Sequence, residues 1–178
     1  MESELVDLDA LGLRGGQAAA LTLPLRPGAP VHMGQRLELV PDVVEARIEV
    51  TRTVGGYAMR LLADVTLRTP CFRCTEPSEL RVSLVAREVE QRDAGDDELI
   101  CPYVDDGLLV ATAWLHDAIT LELPESILCR DDCAGICQQC GISLNDVGPE
   151  GHTHERPPDP RFAKLRELIE PDLGSEGE

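Results

Sequence analysis

Six of the seven cysteines in this chain are grouped in a manner typical of metal binding. They form an early pair and a later run of four within LCRDDCAGICQQCG (residues 128–141), namely Cys71, Cys74, Cys129, Cys133, Cys137 and Cys140. The early pair and the last two residues of the run both have the C-x-x-C form, which brings two sulfurs close to one point. Because a structural zinc ion takes four thiolate or imidazole ligands, the two pairs predict structural zinc, with one or two ions.

Three assignments of ligands are compatible with these spacings. The run of four could hold one ion alone, or the two C-x-x-C pairs could meet in one ribbon-like site. Alternatively, two ions bind, and the pair His152 and His154, which begins twelve residues after Cys140, completes the second site. In that assignment site one is Cys71, Cys74, Cys129 and Cys133, and site two is Cys137, Cys140, His152 and His154. The spacings alone leave all three assignments open.

Other cysteine chemistry is less consistent with the pattern. A redox C-x-x-C usually lies at the start of a helix that follows a strand, whereas Cys71 and Cys74 fall between two predicted antiparallel strands. Cys101 stands alone in DELICPY, as a small packed hydrophobic residue does. The sequence has no Ser-His-Asp or Cys-His spacing typical of catalysis and no Gly-rich phosphate loop. We therefore expect neither an enzyme nor a small-molecule substrate.

The composition restricts the class of protein. The net charge is −17, and only five of the 178 residues are Phe, Trp or Tyr. This disfavours a general nucleic-acid binder, which uses Lys and Arg to contact phosphates and aromatic side chains to stack bases. The opening stretch MESELVDLDALGL lacks the basic and apolar regions of a signal peptide, and no apolar run approaches the length of a membrane span. We expect a cytoplasmic protein without a membrane partner.

Strand patterns surround the early cysteine pair. AAALTLPL (residues 18–25) predicts a short strand, and an apolar alternation over residues 37–50 predicts a strand that bends at Pro41. A stricter alternation over residues 57–67 and another over 80–86 predict two antiparallel strands, each with one buried face. The early cysteine pair then lies in the connection between these two strands.

Helical spacing appears in two later segments. Residues 108–121 have a one-sided apolar pattern, and residues 159–171 begin with Asp-Pro, which suits a helix start. Residues 88–106 are acidic and predict a solvated loop.

The predicted fold class is α+β: an antiparallel β-sheet, open or closed into a barrel-like form, with an amphipathic helix, a cysteine-rich zinc-binding segment and a C-terminal helix. We divide the chain into an N-terminal strand and loop (1–35), the sheet and helix (36–127), the Cys/His-rich zinc segment (128–158), the C-terminal helix (159–171) and an acidic tail (172–178).

Four ordered motifs, CFRCTEP, LELPES, LCRDDCAGICQQCGISLN and DPRFAKLREL, make the chain resemble a known family from about Leu37 to Ile169. This is the YceD family of large ribosomal RNA subunit accumulation proteins, formerly a domain of unknown function. The resemblance implies a bacterial, non-enzymatic accessory protein for synthesis, processing or stability of 23S ribosomal RNA. Its partner would be the large-subunit RNA or its precursor, directly or indirectly. It also favours two separate metal sites, because the family gains and loses the two ligand sets separately.

Arginines are concentrated near the early cysteine pair. Residues 47–87 contain seven Arg and four Asp or Glu, a local charge of +3. Arg60 and Arg68 share the outward face of their predicted strand, and Arg73 lies in the cysteine turn. A solvated strand surface explains them; alternatively, they form a small contact face for RNA or another partner. The competing functional hypothesis is an acidic adaptor that binds a basic large-subunit ribosomal protein or assembly factor, with only an indirect effect on ribosomal RNA.

Overall fold

The computed structural model of the protein describes residues 5–91, 99–148 and 151–154. In chain order the elements of this part are β1 (Leu5–Asp7), β2 (Ala18–Leu25), β3 (Val31–His32), β4 (Gln35–Arg36), β5 (Glu38–Leu39), β6 (Val44–Arg52), β7 (Gly56–Pro70), β8 (Pro77–Gln91), β9 (Val104–Asp105), β10 (Leu108–Val110), α1 (Ala111–Leu121) and α2 (Leu144–Val147). The predicted C-terminal helix at 159–171 and the acidic tail at 172–178 lie outside the described residues.

The chain divides into two compact units, Met1–Cys133 and Ala134–Glu178. The first unit contains the ten described strands and α1. In the second, the four-residue helix α2 follows a single antiparallel bridge between Ile136 and Ser143.

The main sheet of the first unit is antiparallel throughout. β2 pairs with β6, β6 pairs with β7, and β7 pairs with β8 along its whole length, from Gly56 opposite Gln91 to Pro70 opposite Pro77. β5 also pairs with β7, with Leu39 opposite Leu67. Two small sheets, β1–β10–β9 and β3–β4, complete the described strands. Antiparallel pairing allows one wet face, which is why apolar and polar residues alternate along β6 and β7.

The predicted strand alternation is confirmed, with two corrections to its extent. β7 buries every second side chain from Tyr57 to Leu67, as its sequence pattern predicts. At Pro41 the predicted bent strand is instead two strands, β5 and β6, because proline lacks the backbone N–H that a sheet ladder requires. The predicted acidic loop at 88–106 is too long at both ends, since β8 continues to Gln91 and β9 occupies Val104–Asp105. β8 also buries Glu90, which accepts a hydrogen bond from a backbone N–H.

The barrel-like alternative is wrong for the part of the chain that the structure describes. The main sheet has β2 at one edge and β8 at the other, and these two described strands do not pair. α1 contacts both β2 and β8. The helix therefore packs against the buried face of an open sheet.

The amphipathic helix packs as predicted, although it starts three residues later. Leu108–Val110 forms β10, and the helix runs from Ala111 to Leu121 before Pro124. Its buried side is the predicted one: Ala111, Trp114, Leu115, Ala118 and Ile119. Trp114 is 1% exposed and belongs to the same core as the inward side chains of β6 and β7. Cys101, also 1% exposed, lies in this core.

Candidate metal centres

The six-residue connection between β7 and β8 carries the first two cysteines. The backbone N–H of Cys71 donates to the carbonyl of Glu76 (2.7 Å), and the N–H of Thr75 donates to the carbonyl of Cys71 (2.9 Å). Thr75 has a φ of +64°, a left-handed conformation that lets the chain reverse within this short turn. The paired strands on both sides thus hold Cys71 and Cys74 in one tight turn, both at most 5% exposed.

The segment after α1 is attached to this turn by three hydrogen bonds. The N–H of Phe72 donates to the carbonyl of Ile127 (3.0 Å), and the buried hydroxyl of Ser78 donates to the carbonyl of Leu128 (2.7 Å). The guanidinium of Arg73 donates to the carbonyl of Cys133 (3.0 Å). These bonds bring two cysteines from beyond residue 127 to the cysteines of the turn.

The four sulfurs of this group face one point. The Sγ atoms of Cys71 and Cys133 lie 3.8 Å apart, and those of Cys74 and Cys129 lie 3.5 Å apart. All four sulfurs are within 4.8 Å of one another. A zinc ion with four Zn–S bonds of about 2.3 Å would separate its sulfurs by about 3.8 Å in a regular tetrahedron. The distances fit such an ion and exceed the disulfide bond length of about 2.05 Å.

The thiols of this group differ in acidity. Burial alone would raise the pKa of Cys71, but backbone N–H donors from Arg73, Cys129 and Cys74 outweigh it and lower that pKa to about 6. The pKa of Cys129 rises to about 12, chiefly because its thiol is hydrogen-bonded to the sulfur of Cys74 and secondarily through burial. Without a bound cation, at least the Cys129 thiol therefore stays protonated at neutral pH. A bound divalent cation would supply the positive charge that allows all four thiolates to approach.

The second group is built on a short turn in the second unit, Cys137–Ile142, which we call the knuckle. The N–H of Cys137 donates to the carbonyl of Ile142 (2.9 Å), and the N–H of Gly141 donates back to the carbonyl of Cys137 (2.8 Å). Gly141 has a φ of +74°, which is the reason a glycine follows the C-x-x-C pair. Backbone N–H donors from Cys140 and Gln139 lower the pKa of Cys137 to about 6. The knuckle is thus preorganised for at least one thiolate.

Two histidines complete this group. Nε2 of His154 lies 3.1 Å from Sγ of Cys137, and Nε2 of His152 lies 3.1 Å from Sγ of Cys140. The two Nε2 atoms are 2.8 Å apart, and the rings meet edge to face. These separations are somewhat shorter than the spacing of about 3.3–3.5 Å expected around zinc with two sulfur and two nitrogen ligands. A small expansion of the group would accommodate the ion.

The structure gathers the eight candidate ligands as the two-ion assignment does. One group comprises Cys71, Cys74, Cys129 and Cys133, and the other comprises Cys137, Cys140, His152 and His154. Each group closes within its own unit of the chain. Four sulfurs, or two sulfurs and two imidazoles, are ligand sets that zinc accepts in tetrahedral sites. Both tetrads could therefore hold a metal ion, with no ligand shared between them.

The three arginines singled out from the sequence are engaged in contacts with the protein. Arg60 forms an ion pair with Glu49 (3.6 Å) and Arg68 forms one with Glu79 (3.2 Å). Arg73 donates to a carbonyl beside the first tetrad, as described above. The sequence placed Arg60 and Arg68 on the outward face of one strand and Arg73 in the cysteine turn. It did not reveal the partners of Arg60 and Arg68, because cross-strand neighbours depend on register.

Supporting residues around the tetrads were missed at the sequence level. Ser78 lies near the start of β8 and is buried. The sequence signal for it was a serine in phase with the alternating apolar residues that begin at Leu80. Asn145 accepts a hydrogen bond from the N–H of Ala134 (2.8 Å) and so closes the loop that carries the knuckle. No comparable sequence signal marks Asn145. Separately, none of the helices in the described part of the chain is long and apolar enough to cross a membrane.

Comparison with known proteins finds relatives in mycobacteria. An uncharacterised protein of Mycobacterium tuberculosis (strain ATCC 25618 / H37Rv) is 33% identical over 177 residues, which cover 94% of this chain and 82% of that protein. An uncharacterised protein of Mycobacterium leprae (strain TN) is 30% identical over 186 residues, covering 94% of this chain and 78% of its own. No solved structure matches the chain.

The family model described as large ribosomal RNA subunit accumulation protein YceD matches residues 59–169. This match contains β7 from its fourth residue onward, the cysteine turn, β8, α1, and all eight residues of the two tetrads. The chain therefore belongs to the YceD family, which is named for accumulation of large-subunit ribosomal RNA.

Proposed function

We propose that this protein is a cytoplasmic, non-enzymatic accessory factor for the synthesis, processing or stability of bacterial 23S ribosomal RNA, and that its two tetrads bind structural zinc. Membership of a family named for large-subunit ribosomal RNA accumulation supports the cellular role. The observation that carries the zinc assignment is the convergence of four ligand atoms in each tetrad.

The ligand number favours a structural ion over a catalytic one. A catalytic zinc site keeps one position open for water or substrate, whereas a structural site takes four protein ligands. Each tetrad has four, so a bound ion would have its coordination completed by the protein. In the first tetrad, the ion would join segments that are far apart in the chain, since Cys71 and Cys133 are 62 residues apart. Its binding free energy then contributes to folding.

Metal content of matched cysteine variants tests the zinc assignment. We expect about two zinc ions per chain in protein purified without added metal, and about one in either Cys71→Ser or Cys140→Ser, because each tetrad binds separately. Cys101→Ser is the control, since this buried cysteine belongs to neither tetrad, and it should retain both ions. If a single ligand change removed all the metal, a shared site would replace the two-ion assignment. If the wild-type protein held no zinc, the assignment would be wrong.

The cellular role requires a separate experiment. Depletion of the protein should lower 23S ribosomal RNA relative to 16S, and re-expression of the wild-type chain should restore the ratio. The same ratio measured after re-expression of Cys71→Ser shows whether the first tetrad is needed. An unchanged ratio after depletion contradicts the proposed role, whatever the zinc content.

The charge distribution favours a second candidate, in which an acidic adaptor binds a basic large-subunit ribosomal protein or assembly factor. The net charge is −17, and Arg60 and Arg68 are already paired with acidic side chains. An adaptor should still capture its partner when Arg60, Arg68 and Arg73 are changed to Gln, and should lose it when the acidic residues of 88–106 other than the buried Glu90 are neutralised. Direct RNA contact predicts the reverse, together with steep salt dependence and loss of capture after nuclease treatment.

A further inference from the structure

The two tetrads differ strongly in their access to solvent. In the first, Cys71 and Cys133 are each 1% exposed, Cys74 is 5% exposed, and Cys129 is partly buried. In the second, Cys140 and His154 are exposed, and the other two ligands are only partly buried. Water and competing chelators can therefore reach the second group directly, whereas three of the four sulfurs of the first group are reached only after local opening of the protein.

The two tetrads also differ in what holds their ligands in place without a metal. The cysteine turn of the first tetrad joins two strands that are paired over fifteen residues each. Ser78, Phe72 and Arg73 attach the Cys129–Cys133 segment to this turn by hydrogen bonds. Ile127 beside it is 2% exposed and belongs to the hydrophobic core. The first unit therefore positions its four sulfurs by its own packing.

The second tetrad has no comparable apolar support among the described residues. Of residues 134–148 and 151–154, only Gly135 is buried, and α2 contributes no buried side chain. Ile142 and Val147 are each 42% exposed. The described hydrogen-bond contacts of the two imidazoles are to the cysteines of the knuckle and to each other. A bound metal would supply stability that these described residues do not obtain from apolar packing.

We propose that Cys137, Cys140, His152 and His154 form an exchangeable zinc site on which the folded state of the knuckle depends, while the first tetrad releases its ion much more slowly. This inference rests on the zinc binding proposed above and adds a division of roles. Loss of the exposed ion unfolds the knuckle and leaves the sheet, α1 and the first tetrad intact. Because metal binding and folding are coupled in such a segment, the knuckle responds to available zinc.

Chelator-driven zinc release from the full-length, zinc-loaded protein tests this division. We expect two phases of about one ion each, with the first at least about tenfold faster than the second, because the exposed site exchanges without opening of the core. Cys140→Ser should abolish the fast phase alone. Gln138→Ser, an exposed non-ligand in the same knuckle, is the matched control and should retain both phases.

Hydrogen exchange on the wild-type protein provides the second measurement, which does not depend on how any variant folds. After the fast phase, the amides of Cys137 and Gly141 should lose protection, while those of β7 and β8 keep it. Release of both ions at one rate, or retained protection of the knuckle after loss of one ion, would overturn the division of roles and leave the zinc assignment standing. A wild-type protein without zinc would overturn both.

Discussion

At the scale of single residues, the fate of each cysteine follows from its neighbours. The six clustered cysteines lie in two groups whose ligand atoms converge, whereas Cys101 lies among apolar side chains next to Glu90. Its backbone N–H donates to the carboxylate of Glu90 (2.9 Å). Burial raises the pKa of the Cys101 thiol from 9.0 to about 11, helped by the negative charges of Glu88 and Glu90. Among the described residues this cysteine is a packed thiol that belongs to neither tetrad.

The buried thiol leads to a prediction about reactivity and pH. The folded state favours the protonated form of Cys101, so its contribution to stability is complete below pH 9 and declines as the pH rises toward 11. At pH 8 an alkylating reagent should modify Cys101 only after unfolding, as peptide mass spectrometry would show. Cys101→Ala should flatten the fall in stability between pH 9 and 11. Rapid alkylation of the native protein at this position would contradict the prediction.

At the scale of elements, the long hairpin of β7 and β8 is what places the first tetrad. Its register brings Pro70 opposite Pro77, so the connection is short enough to turn both cysteines toward one point. Ser78, at the start of β8, then bonds across 50 residues to the carbonyl of Leu128. The strand pair, and not the local C-x-x-C spacing, thus determines which later cysteines the turn can meet.

The hydrogen bond of Ser78 can be tested with a serine on the same strand as its control. Ser78→Ala should lower the free energy of unfolding by about 1–2 kcal/mol, since it leaves a partly buried carbonyl without its donor. Ser83 is exposed and donates to Asp64, so Ser83→Ala should cost less than about 0.5 kcal/mol. Denaturant unfolding of the zinc-loaded proteins measures both values. Equal losses in the free energy of unfolding would show that the Ser78 hydrogen bond stabilises the fold no more than the exposed Ser83 bond does.

At the scale of the whole molecule, charge and metal act in opposite directions. With 33 acidic and 16 basic residues, the chain repels itself in the compact state. The described ion pairs, such as Arg47 with Glu49, lie largely on the surface and offset little of this repulsion. Two divalent cations would not reduce this excess charge, because the thiols lose their protons on binding, but they would stabilise the fold by joining ligands from separate segments. Zinc would thus support a fold whose surface remains strongly acidic.

The excess negative charge predicts a salt effect on the zinc-loaded protein. Raising NaCl from about 0.02 to 0.2 M should screen the repulsion and stabilise the fold by about 1 kcal/mol, which corresponds to about 2–4 °C in Tm for a chain of this size. Thermal unfolding followed by circular dichroism measures the shift. KCl should act equally, because screening depends on ionic strength and not on the identity of the cation. A Tm that falls with salt would indicate that surface ion pairs outweigh the net repulsion.

Local spacing was sufficient to predict the ligand types, the alternation of β7, the buried side of α1 and the cysteine turn between two strands, because these depend on residues close together in the chain. The grouping of the ligands was not determined in this way. Cys74 and Cys129 are 55 residues apart, and only the register of β7 with β8 and the attachment of the segment after α1 bring their sulfurs together. Likewise, Arg60 and Arg68 were recognised as outward-facing, but their ion pairs arise from cross-strand register. Periodicity reports which face a side chain occupies, whereas the distance between two faces is set by packing across the whole unit.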